Sequence, residues 1–142
     1  MAEEKKLHYL VVDVANVKPL CFGEEYESRM ILDHVITGRD GVIQMNHGTV
    51  MPRCALGGAT HEEDEIYYIL TGHGTCILGD KEVEVYPNQV IFIPAGTFHA
   101  LHNEKSDEPL SILTFWRDWR FNDAYEERIK QWGKSFKTID ED

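Results

Sequence analysis

Two short polar stretches of the chain contain the residue types that bind divalent metals. His61 opens an acidic run that ends at Glu65, and His99 follows the turn sequence 94–96. Two His and one carboxylate leave coordination positions open, as in non-heme Fe(II) oxygenases, and Zn²⁺ also accepts this set when water completes its shell. We therefore predict His61, Glu65 and His99 as metal ligands, on the condition that the fold brings them together.

The elements that must position these ligands are short and regularly spaced. Clusters of Gly, Pro, Asn and Asp separate short apolar segments, a pattern typical of an all-β sandwich or barrel. The predicted strands are 29–36, 42–51, 66–70, 75–78, 82–86, 90–93 and 111–116. Residues 52–58 are interpreted as a break between strands. Strands and helices do not alternate, which disfavours a doubly wound parallel sheet.

The C-terminal residues follow a different pattern. Tyr125, Ile129 and Trp132 recur at helical spacing with charged residues between them, which predicts an amphipathic helix over about 123–133. The aromatic residues of 114–121 favour a cover over the barrel or a dimer contact. We expect a single domain over 1–142, with an N-terminal arm (1–27), a core barrel (28–116), and a C-terminal helix and tail (117–142).

Composition restricts the partners. The chain has 142 residues and a formal net charge of −11, from 14 Lys and Arg against 25 Asp and Glu. No basic patch offsets this charge, so we expect neither nucleic acid nor an anionic membrane surface as a partner. The three cysteines form no C-x-x-C pair and no secretory signal opens the chain, which predicts reduced thiols in a cytoplasmic protein.

The residues around the predicted ligands resemble the cupin superfamily, in particular its small single-domain barrels. The family's first motif is G-x5-H-x-H-x3,4-E-x6-G, and His61, Glu65 and Gly72 match its second His, its Glu and its closing Gly. The second motif is G-x5-P-x-G-x2-H-x3-N, which Pro94, Gly96, His99 and Asn103 match at the family spacing. The resemblance implies a double-stranded β-helix, also called a jelly-roll or cupin barrel, and homodimers are common in that family.

Three positions depart from the family pattern. Its opening glycines fall at Arg53 and Asn88, and the first His of H-x-H falls at Ala59. Because the two His, the Glu and the later His together hold the metal in that family, one of four ligands is missing here. A residue of a neighbouring strand could fill the gap, and the candidates are His47, Asn46 and Cys54.

Strand alternation assigns roles to the neighbouring side chains. Tyr67 and Ile69 share parity with Glu65 and would line the interior, where the hydroxyl of Tyr67 makes it a candidate catalytic residue. Glu62, Glu63 and Asp64 are interpreted as a solvated acidic loop. His102 lies three residues after His99 and should face the other side of its strand. Gln44 is interpreted as facing outward.

These residues favour a divalent-metal enzyme that acts on a small organic molecule inside the barrel. The three-ligand set favours Fe²⁺ and oxygenase-type chemistry, while Zn²⁺, Mn²⁺ or Ni²⁺ with isomerase, lyase or cyclase chemistry fits the residues nearly as well. A non-catalytic protein that binds a sugar or another metabolite in the same pocket is the main alternative. A structural dimer with a lost metal site is the third reading. The sequence does not identify the substrate.

Overall fold

Ten strands make up most of the part of the chain that the structure, a computed structural model, describes: residues 10–17, 19–33, 37, 39 and 41–117. A short 3₁₀ helix, Val14–Asn16, precedes them. The strands are β1 (Leu20–Phe22), β2 (Tyr26–Leu32), β3 (Ile43–Val50), β4 (Cys54–Ala59), β5 (Glu65–Thr71), β6 (Gly74–Leu78), β7 (Lys81–Val85), β8 (Val90–Ile93), β9 (His99–Asn103) and β10 (Leu110–Arg117). The predicted C-terminal helix lies outside the described residues.

The strands form two antiparallel sheets. The larger has the order β1-β2-β3-β10-β5-β8 and the smaller has the order β4-β9-β6-β7. Crossovers place β10 between β3 and β5, and β9 between β4 and β6, as a jelly-roll requires. Their facing sides enclose one apolar cluster, whose fully buried members include Val50, Ile69, Cys76, Leu101, Leu110 and Ile112. The predicted all-β barrel is therefore confirmed.

Two stretches of the chain contribute more strand than the sequence indicated. The predicted break over residues 52–58 is wrong from Cys54 onward, because β4 pairs with β9 and places Cys54 and Leu56 against the apolar cluster. The glycines of β4 hid this strand, and Gly58 has a packing reason, since a Cβ there would collide with the Phe98 ring. In addition, β1 and the start of β2 lie within the segment assigned to the N-terminal arm.

The barrel interior is polar at one end and apolar at the other. In antiparallel strands, residues that lie directly opposite each other point to the same face of the sheet. Three such residues across β3, β10 and β5 form a row whose side chains all lie on one face. The row at one end is Gln44, Trp116 and Glu65, and the next inward row is Asn46, Thr114 and Tyr67. The following row, Gly48, Ile112 and Ile69, begins the apolar half. The polar residues thus share one end of the barrel.

Backbone conformation matches the two positions where the family has glycine. Arg53 and Asn88 are the non-glycine residues with positive φ in the described chain, at 64° and 72°. L-residues rarely adopt this region, and Asn tolerates it better than most. The departures therefore change the residue but keep the backbone turn.

Asn103 joins the two sheets at the apolar end of the barrel. Its buried Nδ2 faces the backbone oxygens of Val50 (3.2 Å), Met51 (3.2 Å) and Glu108 (2.7 Å). The motif Asn is therefore a structural residue in this chain. No helix in the described part of the chain has the length and apolar character needed to cross a bilayer.

Gly72 is a described glycine at which both the backbone conformation and the packing oppose a side chain. Its φ is +91°, and a Cβ would collide with the backbone of Pro109 and Leu110. Gly79 is a matched control, since its φ is +63° but a Cβ meets nothing within 4 Å. We expect Gly79→Ala to lower the free energy of unfolding by about 1 kcal/mol through φ strain alone, and Gly72→Ala by at least about 3 kcal/mol. Urea denaturation of both variants measures the difference, and equal losses would contradict the collision.

Candidate metal centre

The three predicted ligands come from separate elements that meet at the polar end of the barrel. His61 lies in the loop between β4 and β5, Glu65 is the first residue of β5, and His99 is the first residue of β9. Glu65 belongs to the larger sheet and His99 to the smaller one, so the cluster bridges the two sheets. Burial is graded, with the side chains of His99, Glu65 and His61 exposed by 6%, 13% and 32%. The site therefore opens toward solvent on the His61 side.

The ligand atoms converge on one point. Nε2 of His61 and Nε2 of His99 each lie 3.1 Å from the same oxygen, Oε1 of Glu65. All three ligand atoms lie within 4.8 Å of one another, and the two rings meet edge to face with centroids 4.8 Å apart. The structure thus brings together the three residues that the spacing predicted.

Backbone carbonyls orient both imidazoles. Nδ1 of His61 lies 2.9 Å from the carbonyl oxygen of Glu63, and Nδ1 of His99 lies 3.0 Å from that of Thr97. A carbonyl only accepts hydrogen bonds, so each Nδ1 must be the protonated, donating nitrogen. Each neutral ring then directs the lone pair of Nε2 toward Glu65, which is the tautomer that binds metals.

This arrangement leaves the centre with acceptors that face one another. Two Nε2 lone pairs and one carboxylate oxygen cannot satisfy each other, and buried polar atoms without partners are costly. Either protons or a cation must lie between them. The number, type and orientation of the donor atoms fit a divalent ion held by His61, Glu65 and His99.

The same contacts shift the proton affinities of the cluster. The hydrogen bond to Glu65 raises the pKa of His61, against burial, which lowers it. Burial raises the pKa of Glu65, but the hydrogen bonds from His61 and His99, together with their charges, more than reverse this, so its pKa lies below the usual value. Without an ion, the cluster therefore favours a carboxylate bound to a protonated ring.

Two hydrogen bonds join the turn that precedes His99 to the loop that carries His61. The amide of Gly96 donates to the carbonyl of His61 (2.8 Å), and the amide of Ala95 donates to Oδ1 of Asp64 (2.8 Å). The turn 94–97 is closed by a 3.1 Å hydrogen bond from the Thr97 amide, and Gly96 supplies its positive φ of 81°. The acidic loop is thus exposed at Asp64, as expected, and also positions the site.

Ala59 stands at the position where the family pattern has its fourth metal ligand. Ala59 lies directly opposite His99 in the pairing of β4 with β9 and is exposed. His, Cys, Asp and Glu side chains of the described chain contribute no further member to the cluster. Within residues 10–117 as described, the cluster therefore has three candidate ligands where the family pattern has four.

The three candidate replacement ligands lie elsewhere. His47 is on the face of β3 opposite to Asn46, beside Arg29, and burial with the Arg29 charge lowers its pKa. Asn46 faces inward, but its side chain is hydrogen-bonded to Ser28 and Tyr26. Cys54 begins β4 opposite Asn103, at the other end of the pairing from Ala59 and His99.

The neighbouring side chains divide as strand alternation requires, with one exception. Tyr67 and Ile69 are buried on the Glu65 face, and the Tyr67 ring lies edge-on to His99 at a centroid distance of 6.1 Å. His102 faces away from the site and pairs with Glu104. The outward placement of Gln44 is wrong, because Gln44 is only 2% exposed and shares the Glu65 row. The sequence could have indicated this placement, because Gln44 lies six residues before the buried Val50 and therefore points to the same face of β3.

Asp64 provides a test of how the site is positioned. Asp64→Ala removes the acceptor for the Ala95 amide, so the two segments that carry His61 and His99 lose one of their links. We expect Zn²⁺ affinity to fall by up to about tenfold in a competition titration. Asp64→Asn keeps an acceptor oxygen and should restore affinity, while Asp80→Ala removes a distant charge as the control. Equal affinities in all four proteins would contradict a positioning role.

Solved structures of several other proteins share this architecture. A predicted oxalate decarboxylase from Thermotoga maritima aligns over 76% of this chain and 98% of its own, with a TM-score of 0.67 and 23% identity. The polyketide cyclase RemF from Streptomyces resistomycificus aligns over 87% and 94%, with a TM-score of 0.69 and 21% identity. An RmlC-like cupin from Shewanella frigidimarina aligns over 80% and 95%, with a TM-score of 0.64 and 9% identity. At these identities the likeness shows the fold.

Sequence comparison agrees with the fold. An uncharacterised protein of Streptomyces coelicolor is 30% identical over 47 residues, which are 33% of this chain and 45% of that relative. The match thus spans less than half the length of that protein. The family model described as the cupin domain matches residues 43–116, more than half of the chain and including all three ligands. The chain belongs to the cupin family.

Proposed function

We propose that the protein is a divalent-metal-dependent enzyme that acts on a small organic molecule inside the barrel. The observation that carries the proposal is the convergence of two imidazole Nε2 atoms on Oε1 of Glu65. His61, Glu65 and His99 would hold the ion. When bound, such an ion supplies Lewis-acid polarisation of a substrate oxygen or, as Fe²⁺, chemistry with dioxygen. Fe²⁺ is our first choice because two His and one carboxylate form its usual open set.

The surrounding residues support binding at the open side of this centre. The polar rows on the larger sheet place Gln44, Asn46 and Thr114 in the same half of the barrel as Glu65. The apolar cluster fills the other half of the barrel, so binding is proposed at the polar end alone. A small molecule would therefore enter beside His61, the most exposed of the three ligands.

Tyr67 is the proposed proton-handling residue. It is 4% exposed, lies two residues after Glu65 on the same face of β5, and contacts the His99 ring. A phenol in this position can donate a hydrogen bond to a substrate oxygen or transfer its proton. These features make Tyr67 the candidate catalytic residue beside the metal ligands.

Metal content is the decisive measurement. Protein purified anaerobically without a His-tag should contain about one equivalent of metal by plasma mass spectrometry. His61→Ala and His99→Ala should lose the metal while keeping the thermal unfolding transition of the barrel. His102→Ala is the matched control, because this His lies on β9 but faces away from the site, and it should keep the metal.

The identity of the ion then selects the assay. Iron calls for oxygen-uptake assays with catechol-like and diketone compounds, while zinc, manganese or nickel calls for isomerase, lyase and cyclase assays. A metal-free protein that also refuses added Fe²⁺, Mn²⁺, Ni²⁺ and Zn²⁺ would overturn the proposal. Ligand-dependent stabilisation without turnover would instead support the non-catalytic binding protein.

We further propose that the protein forms a homodimer through the outer face of β8. This strand is an edge of the larger sheet as described, and Val90 and Phe92 are 63% and 57% exposed beside Ile66. Exposed apolar edges are usually covered. Light scattering after size exclusion should give twice the chain mass, and Phe92→Glu should give the monomer, whereas Lys81→Glu should stay dimeric. A monomeric parent protein would contradict this interface.

The cytoplasm is the proposed location. Cys21, Cys54 and Cys76 are all free thiols, and Cys76 is fully buried. Burial, together with the Glu65 charge, raises the pKa of the Cys76 thiol to about 11, so this thiol stays protonated and unreactive. Three free thiols are typical of a reducing compartment.

A further inference from the structure

Gln44 is a buried polar residue whose acceptor has no partner. Its side chain is 2% exposed, and Oε1 receives no hydrogen bond from any described residue. An amide oxygen in this state loses the hydrogen bonds of water without replacement, which destabilises a fold. Leu or Met would fill the same volume without that cost. An unpaired buried acceptor in the same row as Glu65 therefore points to a ligand at the metal centre.

The position of Gln44 relative to the metal centre is fixed by strand register. Trp116 of β10 pairs with Gln44 on one side and with Glu65 on the other. Two strand spacings therefore separate the Cα atoms of Gln44 and Glu65, about 10 Å. Both side chains point into the barrel, which shortens the gap between their ends. Trp116 is the middle residue of this row, so a small molecule that reaches from the metal centre to Gln44 must pass along the Trp116 side chain.

Asn46, in the neighbouring row, has no unpaired amide atom to offer a substrate. The Asn46 side chain is hydrogen-bonded to the Ser28 hydroxyl and to the Tyr26 hydroxyl, so the amide is used by the barrel wall itself. Both amides are buried and face inward on β3. Gln44 differs because it lies one row closer to the metal ligands and its oxygen is unpaired.

We infer that Gln44 is a specificity-determining residue that accepts a hydrogen bond from the substrate. This inference rests on the proposed function and adds the substrate class. The substrate carries an oxygen that binds the metal and, several ångströms away, a hydroxyl or N–H group that donates to Oε1 of Gln44. With Oε1 as the unpaired atom, this position takes a donor, because a carboxylate or phosphate oxygen would face Oε1 as a second acceptor.

Two hydroxypyranone chelators test this assignment by binding alone. Kojic acid and allomaltol share the same chelating oxygens and differ in one substituent, which is CH₂OH in kojic acid and CH₃ in allomaltol. With Zn²⁺-loaded protein in a calorimetric titration, kojic acid should bind about five- to tenfold more tightly. Because the chelating group is shared, this ratio reports the hydroxyl donor and not the metal bond.

Variants at Gln44 separate its acceptor from its bulk. Gln44→Met keeps the length of the side chain and should abolish the preference for kojic acid. Gln44→Glu keeps an acceptor and removes the donor, so the preference should persist or increase. Met45→Leu is the control on the opposite face of β3 and should leave the ratio unchanged. Thermal unfolding checks that each variant is folded, and the Glu variant carries the test if Gln44→Met does not fold.

Each outcome decides between the two proposals. Equal binding of the two probes to the parent protein, a preference unchanged in Gln44→Met, or a preference lost in a folded Gln44→Glu overturns the assignment of Gln44 as acceptor. Those results leave the metal-dependent function intact, since both probes still bind. Failure of both probes to bind metal-loaded protein would count against the proposed function, and the inference would fall with it.

Discussion

The convergence of two imidazole nitrogens on one carboxylate oxygen is the constraint on which the polar half of this barrel depends. Each Nδ1 donates to a backbone carbonyl, so the ring orientations are set by the loop at 61–64 and the turn at 94–97 and not by rotamer preference alone. The resulting group of acceptors is unfavourable in a closed core. It is stable only with protons or a cation between the atoms, and a divalent cation would meet this requirement.

Stability and chemistry are separated along the barrel axis. At one end, Ile69, Leu101 and Ile112 pack between the sheets, and Asn103 joins the backbone of neighbouring segments. At the other end, the inward positions of β3, β10 and β5 carry Gln44, Asn46, Thr114 and Glu65 beside the aromatic side chains of Tyr67 and Trp116. An apolar core at one end can supply the burial that folding requires, so the other end can tolerate residues that a core would not select. The polar residues near the metal site therefore weaken the packing at that end alone and leave the apolar core intact.

Sequence reasoning predicted the parts of the fold that depend on local pattern. The strands around Ile69 and Ile93 alternate or run apolar between turn residues, and the motif spacing identified His61, Glu65 and His99. It failed for β4, because Gly57 and Gly58 signal a turn locally, whereas the residues on both sides of them, 54–56 and Ala59, pair with β9 across a register shift. The outward assignment of Gln44 failed because polarity was taken as a sign of exposure. Both failures arise where a contact distant in sequence overrides a local preference.

Under the proposed function, replacement of the family's first His by Ala59 would transfer substrate specificity from the metal ligands to the barrel wall. A centre with three protein ligands leaves more coordination positions for exogenous groups, so the ion alone orients a substrate less strictly than a four-ligand centre would. Orientation must then come from side chains that the fold does not use for its own hydrogen bonds. Gln44 meets this condition, since it is buried, lies in the Glu65 row and has an unpaired acceptor in the described structure. Under this proposal, the open coordination side and the unpaired amide oxygen would bind two ends of the same substrate.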